Sequence, residues 1–264
     1  MRPIRVVPAV LSVVLLSLVT LLGAPSAGAT GSGYAALGDS YSAGVGAGSY
    51  LSDSGGCKRS TKAYPYLWNS AHAPSSFAFV ACSGATTGDV LDDQLSALNS
   101  ATGLVSISVG GNDAGFTDVM TTCVLHSESA CLSVIADARS YADHQLPPRL
   151  DRVYAAIRDR APNARVVVLG YPHLYRIEGS CLFGIGDTRR AAINGAADEL
   201  DSVMAKRAAD AGFTFADVRG AFTNHEICSG SSWIHSTTWP IDESYHPNAS
   251  GQAYGYLPTF SAAA

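Results

Sequence analysis

The sequence predicts an α/β protein with a mainly parallel central sheet that is covered by helices on both faces. Two observations carry this prediction. Short β-rich runs alternate along the chain with amphipathic helical stretches, and most of the runs end at a glycine or another turn residue. Strands that alternate with helices form parallel sheets that are buried on both sides. In such folds the functional side chains lie in loops beyond the carboxyl ends of the strands.

Five strands are predicted, and four of them lead directly into a turn sequence. The strands comprise residues 34–37, 77–81, 104–109, 165–169 and 213–218. The first four are followed by Gly38-Asp39-Ser40, Cys82-Ser83-Gly84, Gly110-Gly111-Asn112-Asp113 and Gly170-Tyr171-Pro172. Because parallel strands end at the same edge of a sheet, we expect these turns to lie close together.

Three helices are predicted from apolar residues that recur at helical spacing, over residues 89–98, 149–160 and 187–211. Pro147 and Pro148 favour a helix start just ahead of the second one, since proline is tolerated only in the first turn. Residues 116–141 fit no single element, and we interpret them as a disulfide-linked excursion over the site. A short helical stretch follows His246 near the end of the chain.

Residues 1–29 are predicted to form a cleaved secretory signal peptide. Arg2 and Arg5 give a positive start, residues 6–22 are almost wholly apolar, and Ala27-Gly28-Ala29 is a small-residue cleavage site. The alternative, a membrane anchor, is disfavoured because no stop-transfer pattern follows. Residues 30–264 then form a single domain, and we expect the mature protein to be secreted and extracellular.

The mature chain is acidic. Without Arg2 and Arg5, 15 basic residues stand against 22 acidic ones, which gives a net charge of −7. Nucleic acid as a partner is therefore excluded, because phosphates require a basic surface. Contact with lipid would be transient and would depend on local apolar surface rather than on attraction to anionic membranes. We expect a monomer.

Six cysteines follow the signal peptide, and an even number in an exported chain predicts three disulfides. Spacing does not choose among the fifteen possible pairings. The chain has no C-x-x-C pair, no H-E-x-x-H sequence and no P-loop, so no metal or other cofactor is implied. The cysteines are Cys57, Cys82, Cys123, Cys131, Cys181 and Cys228.

Ser40 and His246 are the candidate catalytic pair. Ser40 directly follows a predicted strand, and His246 stands in Ser-Tyr-His-Pro-Asn, where Pro247 fixes the backbone after it. A serine hydroxyl is a weak nucleophile that needs a base within hydrogen-bond reach. Imidazole can take up and return a proton near neutral pH. Together the two residues predict covalent catalysis on an ester.

Ester hydrolysis also needs donors for the negative oxygen of the tetrahedral intermediate. Three groups are candidates for this oxyanion hole: the side-chain amide of Asn112 and the backbone N–H groups of Gly84 and Ser40. Glycine allows the main chain to approach a substrate closely. Taken singly, Gly84 and Asn112 would be read as ordinary turn residues; the combination with Ser40 and His246 favours a site.

These four blocks, in this order, resemble those of the GDSL, or SGNH, hydrolases, and the likeness covers essentially the whole mature chain. Gly-Asp-Ser-Tyr-Ser-x-Gly near the mature start resembles secreted actinomycete lipases and phospholipases A1 of that family. The resemblance implies a three-layer α/β/α sandwich of flavodoxin-like type. It assigns Ser40 as nucleophile, His246 as base, and Ser40, Gly84 and Asn112 to the oxyanion hole. It also implies disulfides between cysteines adjacent in sequence: Cys57–Cys82, Cys123–Cys131 and Cys181–Cys228.

One departure concerns the group that orients His246. The wider family has an aspartate three residues before the histidine, whereas this chain has Glu243 there and Asp242 one position earlier. The secreted actinomycete enzymes that the chain resembles look like ones in which a main-chain carbonyl does this job, and this resemblance makes Ser244 a third candidate. We favour a Ser40–His246 dyad steadied by the Ser244 carbonyl.

The expected function is hydrolysis of lipid acyl esters, as a phospholipase A1, lipase or esterase, through an acyl-enzyme intermediate; for phospholipids the resemblance favours the sn-1 bond. Two alternatives remain open. One is a carbohydrate acetylesterase of the same superfamily, which would prefer acetylated sugars. The other is a lipid- or glycan-binding protein that has kept the fold without catalysis, although a binder needs neither nucleophile nor base.

Overall fold

The computed structural model describes residues 32–181 and 184–264, together with Met1 and Pro3. The chain divides into two units, Met1–Thr30 and Gly31–Ala264, and the architecture below is that of the second. Apart from Met1 and Pro3, the predicted signal peptide lies outside the described residues. No helix in the described ranges combines the length and the apolar character that crossing a membrane requires.

The centre of the second unit is a five-stranded sheet in which every neighbouring pair is parallel. Its strands are β1 (Gly33–Gly38), β2 (Phe77–Phe79), β3 (Thr102–Ser108), β4 (Arg165–Leu169) and β5 (Thr214–Ala216). The spatial order is β2-β1-β3-β4-β5, which is the flavodoxin-like order. The chain adds β2 on one side of β1 and the later strands on the other, so the strand order reverses between β1 and β3. Ligands of such folds bind in the crevice at that point.

Eight α-helices surround the sheet in the described residues. They are α1 (Ser40–Ala43), α2 (Tyr64–His72), α3 (Thr87–Asp89), α4 (Phe116–Leu125), α5 (Glu128–His144), α6 (Leu146–Arg160), α7 (Asp187–Asp210) and α8 (Leu257–Ala263). α5, α6 and α7 pack against one another, and α2 packs against α8. The predicted fold class, a parallel sheet between helical layers, is confirmed.

The helix predicted over residues 89–98 is irregular. It consists of α3, a π-helical turn over Val90–Gln94 and a 3₁₀ turn over Leu95–Ala97. The amide of buried Gln94 bonds both backbone groups of Gly38, accepting from its N–H at 2.7 Å and donating to its carbonyl at 2.9 Å. This long-range contact draws the wider turn towards β1, and the local apolar spacing does not reveal it.

The segment 116–141, whose sequence fits no single element, lies within the helical hairpin of α4 and α5. The disulfide between Cys123 and Cys131 joins the end of α4 to the start of α5. Ser127 caps α5, since its hydroxyl accepts a hydrogen bond from the N–H of Ala130. α6 begins at Leu146, with the two prolines in its first turn as predicted.

The core lies on both faces of the three central strands. Leu37, Ile107 and Val167 are fully buried, and each such side chain contributes about 1.5–3 kcal/mol relative to exposure. Tyr34 of β1 stacks on Phe260 of α8, with ring centroids 5.6 Å apart, so this ring ties the sheet to its C-terminal helix. The core fixes the strand ends from which the site residues project.

Candidate active site

Ser40 begins α1 directly after β1, at the carboxyl edge of the sheet. Asp39 caps this short helix, because its Oδ1 accepts a hydrogen bond from the N–H of Tyr41 at 3.0 Å. Gly44 ends the helix at a φ of 82°, a left-handed conformation that favours glycine. The sharp strand–helix turn presents the Ser40 side chain to a cavity described below.

His246 lies against Ser40 although 206 positions separate them in sequence. Its Nε2 is 2.8 Å from the Ser40 Oγ, and its Nδ1 is 3.0 Å from the carbonyl oxygen of Ser244. A carbonyl oxygen can only accept a hydrogen bond, so Nδ1 carries a proton and donates the hydrogen bond to the Ser244 carbonyl. Nε2 is then the acceptor for the Ser40 hydroxyl, which is the arrangement that a general base requires.

An unusual backbone turn brings the His246 ring back over Ser244. Tyr245, between the two, has a φ of 64°, which a tyrosine rarely adopts. Three hydrogen bonds hold it: Tyr245 N–H to the His235 carbonyl at 3.0 Å, His235 N–H to the His246 carbonyl at 2.9 Å, and the Tyr41 hydroxyl to the Tyr245 carbonyl at 2.7 Å. The surrounding contacts therefore stabilise the turn.

The two carboxylates ahead of His246 are engaged elsewhere. Asp242 pairs with Lys58, and Glu243 accepts a hydrogen bond from the Tyr50 hydroxyl at 2.7 Å. Of the three candidate orienting groups, Ser244 is therefore the one that bonds the imidazole. Burial lowers the pKa of His246 to about 4, and the Ser244 carbonyl and the negative charge of Asp242 oppose this shift only in part. The imidazole is neutral at physiological pH.

The predicted oxyanion donors come from two neighbouring turns. Asn112, which follows β3, lines the same cavity as Ser40, and its Nδ2 donates to the Ala85 carbonyl at 2.9 Å. Gly84 directly precedes Ala85, and its backbone N–H has no acceptor among the described residues. Its φ is 79°, and the space where a Cβ would lie is open to at least 4 Å.

Contacts on the other side hold the Gly84 turn beside the nucleophile. The N–H of Cys82 donates to the carbonyl of Gly38 at 3.0 Å, two residues before Ser40. The disulfide between Cys57 and Cys82 fixes the same turn from outside. The structure thus brings the turns of all four sequence blocks to one edge of the sheet.

Asp39 is the centre of a buried network that the sequence did not reveal. It is 1 % exposed; its Oδ1 accepts from the Ser108 hydroxyl at 2.7 Å and its Oδ2 from the Tyr171 hydroxyl at 2.5 Å. Burial raises the pKa of Asp39 to about 6, although these hydrogen bonds favour the carboxylate. The N–H of Gly111 donates to the Tyr171 oxygen at 3.3 Å. Ser108 ends β3 and Tyr171 follows β4, and this position at a strand end is the only feature of the sequence that points to either residue.

An almost wholly apolar cavity leads away from Ser40 and Asn112 between α4, α5 and α7. Three of its walls are helical, and alanines on α5 and α7 leave the space between them. Arg139, paired with Glu199, is its one basic lining residue. The helical lining residues are Phe116, Val119, Met120, Ala138, Arg139, Ala142, Ile193, Ala196, Ala197 and Leu200. This shape and polarity suit an extended apolar group attached to the reacting carbonyl.

Three disulfides are formed, and they pair cysteines that are adjacent in sequence: Cys57–Cys82, Cys123–Cys131 and Cys181–Cys228. This is the pattern that the family resemblance implied. The third joins the segment before α7 to the loop that follows the 3₁₀ turn Arg219–Phe222. Each bridge thus secures a segment outside the sheet.

Comparisons with known proteins agree with this geometry. A family model described as GDSL-like Lipase/Acylhydrolase matches residues 36–254. Lipase 1 of Streptomyces coelicolor is 61% identical, over 100% of both chains. A crystal structure of phospholipase A1 from Streptomyces albidoflavus has a TM-score of 0.87 at 58% identity and covers 89% of this chain and 100% of its own. A crystal structure of an extracellular lipase from Streptomyces rimosus has a TM-score of 0.86 at 60% identity and covers 88% of this chain and 100% of its own.

The family match spans most of the chain and includes Ser40, Gly84, Asn112 and His246. Relatives at about 60% identity cover the chain almost completely, so the similarity is not confined to isolated motifs. The resemblance inferred from the four sequence blocks is confirmed: the chain belongs to the GDSL-like lipase/acylhydrolase family.

Proposed function

We propose that the chain is a secreted serine carboxylic-ester hydrolase that acts on the acyl esters of lipids. One observation carries the proposal: the Ser40 hydroxyl lies 2.8 Å from the Nε2 of a neutral, buried His246, at the mouth of an apolar cavity. A positioned base next to an alcohol is the arrangement of nucleophilic catalysis. The names of the relatives, lipase and phospholipase A1, support lipid esters as the substrate class.

In the proposed reaction the Ser40 oxygen attacks the ester carbonyl carbon while His246 Nε2 takes the hydroxyl proton. The carbonyl oxygen becomes negative, and the N–H groups of Ser40 and Gly84 and the amide of Asn112 donate to it. When the intermediate collapses, His246 returns the proton to the leaving alcohol and the acyl group stays on Ser40. Water, deprotonated by His246, then releases the fatty acid.

The Ser244 carbonyl takes the place that a carboxylate has in a catalytic triad. It fixes the tautomer and the orientation of the ring. A neutral carbonyl stabilises the imidazolium less than a carboxylate does, so the oxyanion donors carry more of the transition-state stabilisation. We therefore assign a Ser40–His246 dyad, with Asp242 and Glu243 outside the proton-transfer chain.

The apolar cavity favours long acyl groups over acetyl. Residues of three helices, α4, α5 and α7, line the cavity, and the space between them is larger than a methyl group fills. A carbohydrate acetylesterase would need a small acyl pocket and polar groups for the sugar. For a phospholipid, the name of one relative, phospholipase A1, supports cleavage of the sn-1 ester bond.

The test combines active-site labelling with substrate comparison. A fluorophosphonate probe should label the wild type and Ser70→Ala, an exposed control on α2, but not Ser40→Ala. Ser40→Ala should lower turnover by at least about 10⁴-fold with the fold retained. Wild-type enzyme should release the sn-1 fatty acid from phosphatidylcholine with different chains at the two positions. Labelling of Ser40→Ala, or a preference for acetylated xylan over every lipid ester, would overturn the proposal.

We also propose that residues 1–29 are removed on export and that residues 30–264 form the mature enzyme. The description of a close relative as an extracellular lipase supports secretion. Mass spectrometry of protein from the culture medium should show an N-terminus at Thr30. A full-length chain retained with the cells would contradict the cleavage.

A further inference from the structure

Three consecutive exposed residues, Trp239, Pro240 and Ile241, lie in one loop, and we refer to them as the apolar tip. Trp239 is 87% exposed and Ile241 is 61% exposed. The other two tryptophans stack on imidazole rings, Trp68 at a centroid distance of 4.2 Å and Trp233 at 3.5 Å. Of the three tryptophans, all of which lie in the described residues, Trp239 alone is exposed, and the other two are partly buried.

Hydrogen bonds hold the apolar tip in this exposed position. The N–H of Thr238 donates to the Ser244 Oγ at 2.9 Å, and the Ser244 hydroxyl lies 3.3 Å from the Thr238 carbonyl. The Thr237 and Tyr245 hydroxyls are 2.6 Å apart. These bonds tie the residues before the tip to those after it and so close the base of the loop.

The loop that carries the apolar tip is also the loop that carries the proposed base. His235 and His246 close it, through the hydrogen bond from His235 N–H to the His246 carbonyl. Ser244, whose carbonyl accepts the hydrogen bond from His246 Nδ1, lies three residues after Ile241. The apolar tip and the proposed base therefore belong to one hydrogen-bonded loop.

Two carboxylates lie beside the apolar tip, and both have polar partners. The Asp242 carboxylate pairs with Lys58, and that of Glu243 accepts from the Tyr50 hydroxyl. The ion pair neutralises Asp242, whereas Glu243 keeps its negative charge. The mature chain as a whole carries a net charge of −7, which repels anionic membranes. A neutral or zwitterionic surface avoids this repulsion.

The size of the apolar tip argues against a stable protein partner. A specific protein interface buries about 800 Å² on each side, whereas a fully covered aromatic side chain supplies about 150–250 Å². A lipid surface sets no such minimum. Tryptophan is enriched where membranes meet water, because its ring is apolar and its N–H reaches polar groups.

We propose that the apolar tip inserts into neutral or zwitterionic lipid surfaces and so holds the active site against the aggregate that contains its substrate. The inference rests on the proposed hydrolysis of lipid esters. It adds a docking surface outside the catalytic cavity, with Trp239 as the main anchor and Ile241 beside it. Substrate in solution, which offers no surface, does not use this anchor.

Binding is tested without catalysis in the Ser40→Ala protein, which keeps the loop intact. Phosphatidylcholine vesicles should shift the tryptophan emission to shorter wavelength, and lipids brominated in their acyl chains should quench it. Adding Trp239→Phe should remove the shift while most vesicle binding, measured by co-sedimentation, remains. An emission that vesicles do not change, or one that Trp239→Phe leaves in place, overturns the proposal.

The second test compares two substrates for the same variant. The double variant Trp239→Ser/Ile241→Ser should lower the ratio of vesicle hydrolysis to hydrolysis of a water-soluble short-chain ester by at least about tenfold, which corresponds to 1.4 kcal/mol. Tyr254→Ser, which removes an exposed aromatic ring outside the loop, should leave this ratio unchanged. An equal ratio in the double variant and the wild type contradicts the docking role.

The results separate docking from catalysis. Vesicle hydrolysis without insertion of Trp239 removes the docking proposal and leaves the enzymatic one, whereas insertion without ester hydrolysis does the reverse. If the emission shift instead follows protein concentration in the absence of vesicles, a second copy covers the tip and the lipid assignment is wrong. Should the double variant fail to fold, the fluorescence of Ser40→Ala decides alone.

Discussion

The hydroxyl of Tyr171 donates a hydrogen bond to the Oδ2 of Asp39 at 2.5 Å. Tyr171 follows β4, whereas Asp39 caps the helix that begins with Ser40. The same phenolic oxygen accepts the N–H of Gly111, directly before Asn112. One buried side chain thus connects the turn of the nucleophile to the turn of a proposed oxyanion donor.

Tyr171→Phe should lower kcat by about 10–100-fold, because a hydrogen bond to a charged group contributes about 1.5–3 kcal/mol. The loss of this donor also raises the pKa of Asp39, so the acid limb of the activity profile should move to higher pH. Tyr154→Phe is the matched control, since its buried hydroxyl has no partner among the described residues. A Tyr171→Phe enzyme with wild-type kcat and pH profile would show that the contact only stabilises the fold.

Asp242→Asn and Glu243→Gln should each reduce kcat by less than about tenfold, because partly exposed pairs contribute little and neither carboxylate bonds His246. Steady-state kinetics on a water-soluble ester measure this directly. A fall of about 10⁴-fold in either variant would instead indicate a full triad with that carboxylate as its third member.

Asn112→Ala should lower kcat by about 10²–10³-fold, the usual cost of removing one oxyanion donor. The amide also holds the carbonyl of Ala85 next to Gly84, so some of the loss would come from displacement of that turn. Kinetics with a substrate that saturates the enzyme separate kcat from KM. An effect on KM alone would mean that Asn112 positions substrate and does not stabilise the oxyanion.

The acid limb of kcat/KM should lie below pH 6.5, the pKa of an ordinary histidine. Burial lowers the pKa of His246 to about 4, so the neutral base persists as the pH falls below neutrality. The pKa of Asp39, about 6, also lies below pH 6.5. A pH–rate profile on a soluble ester checks the midpoint, and a midpoint above 7 would contradict the buried neutral imidazole.

Asp201 should make the protein less stable as the pH rises. Burial raises its pKa from 3.8 to about 8, although the Arg219 Nε lies 3.5 Å away. The folded state therefore binds more protons than the unfolded state between these values, and the free energy of unfolding falls as pH rises through 8. Asp201→Asn, which keeps an acceptor for the Tyr171 N–H, should flatten this slope in denaturant titrations from pH 4 to 9. Parallel slopes for the two proteins would assign the pH dependence to other groups.

Local pattern was enough to predict the sheet and the positions of Ser40 and His246. The run Val166–Leu169 is apolar and begins with three β-branched valines, so its strand could be predicted from the sequence directly. Turns after parallel strands necessarily meet at one edge of the sheet. Helices α6 and α7 also match predicted stretches, whereas α3 begins an irregular one and α2, α4 and α5 were not predicted.

Contacts between distant residues could not be predicted in this way. The bonds of Gln94 to Gly38 and of Tyr171 to Asp39 join segments whose pairing depends on the completed fold. The left-handed conformation of Tyr245 has no local sign, because tyrosine does not favour it. The disulfide pairing came from resemblance alone, since spacing left fifteen possibilities open.

The order of the disulfides has a consequence for biogenesis. Each bridge closes with the next cysteine along the chain, across 25, 8 and 47 residues, and no bridge encloses or crosses another. If the proposed export threads the chain outward from its N-terminus, the second cysteine of each pair emerges when its partner is the one reduced thiol already outside. Oxidation in order of emergence therefore yields the native set without reshuffling by an isomerase.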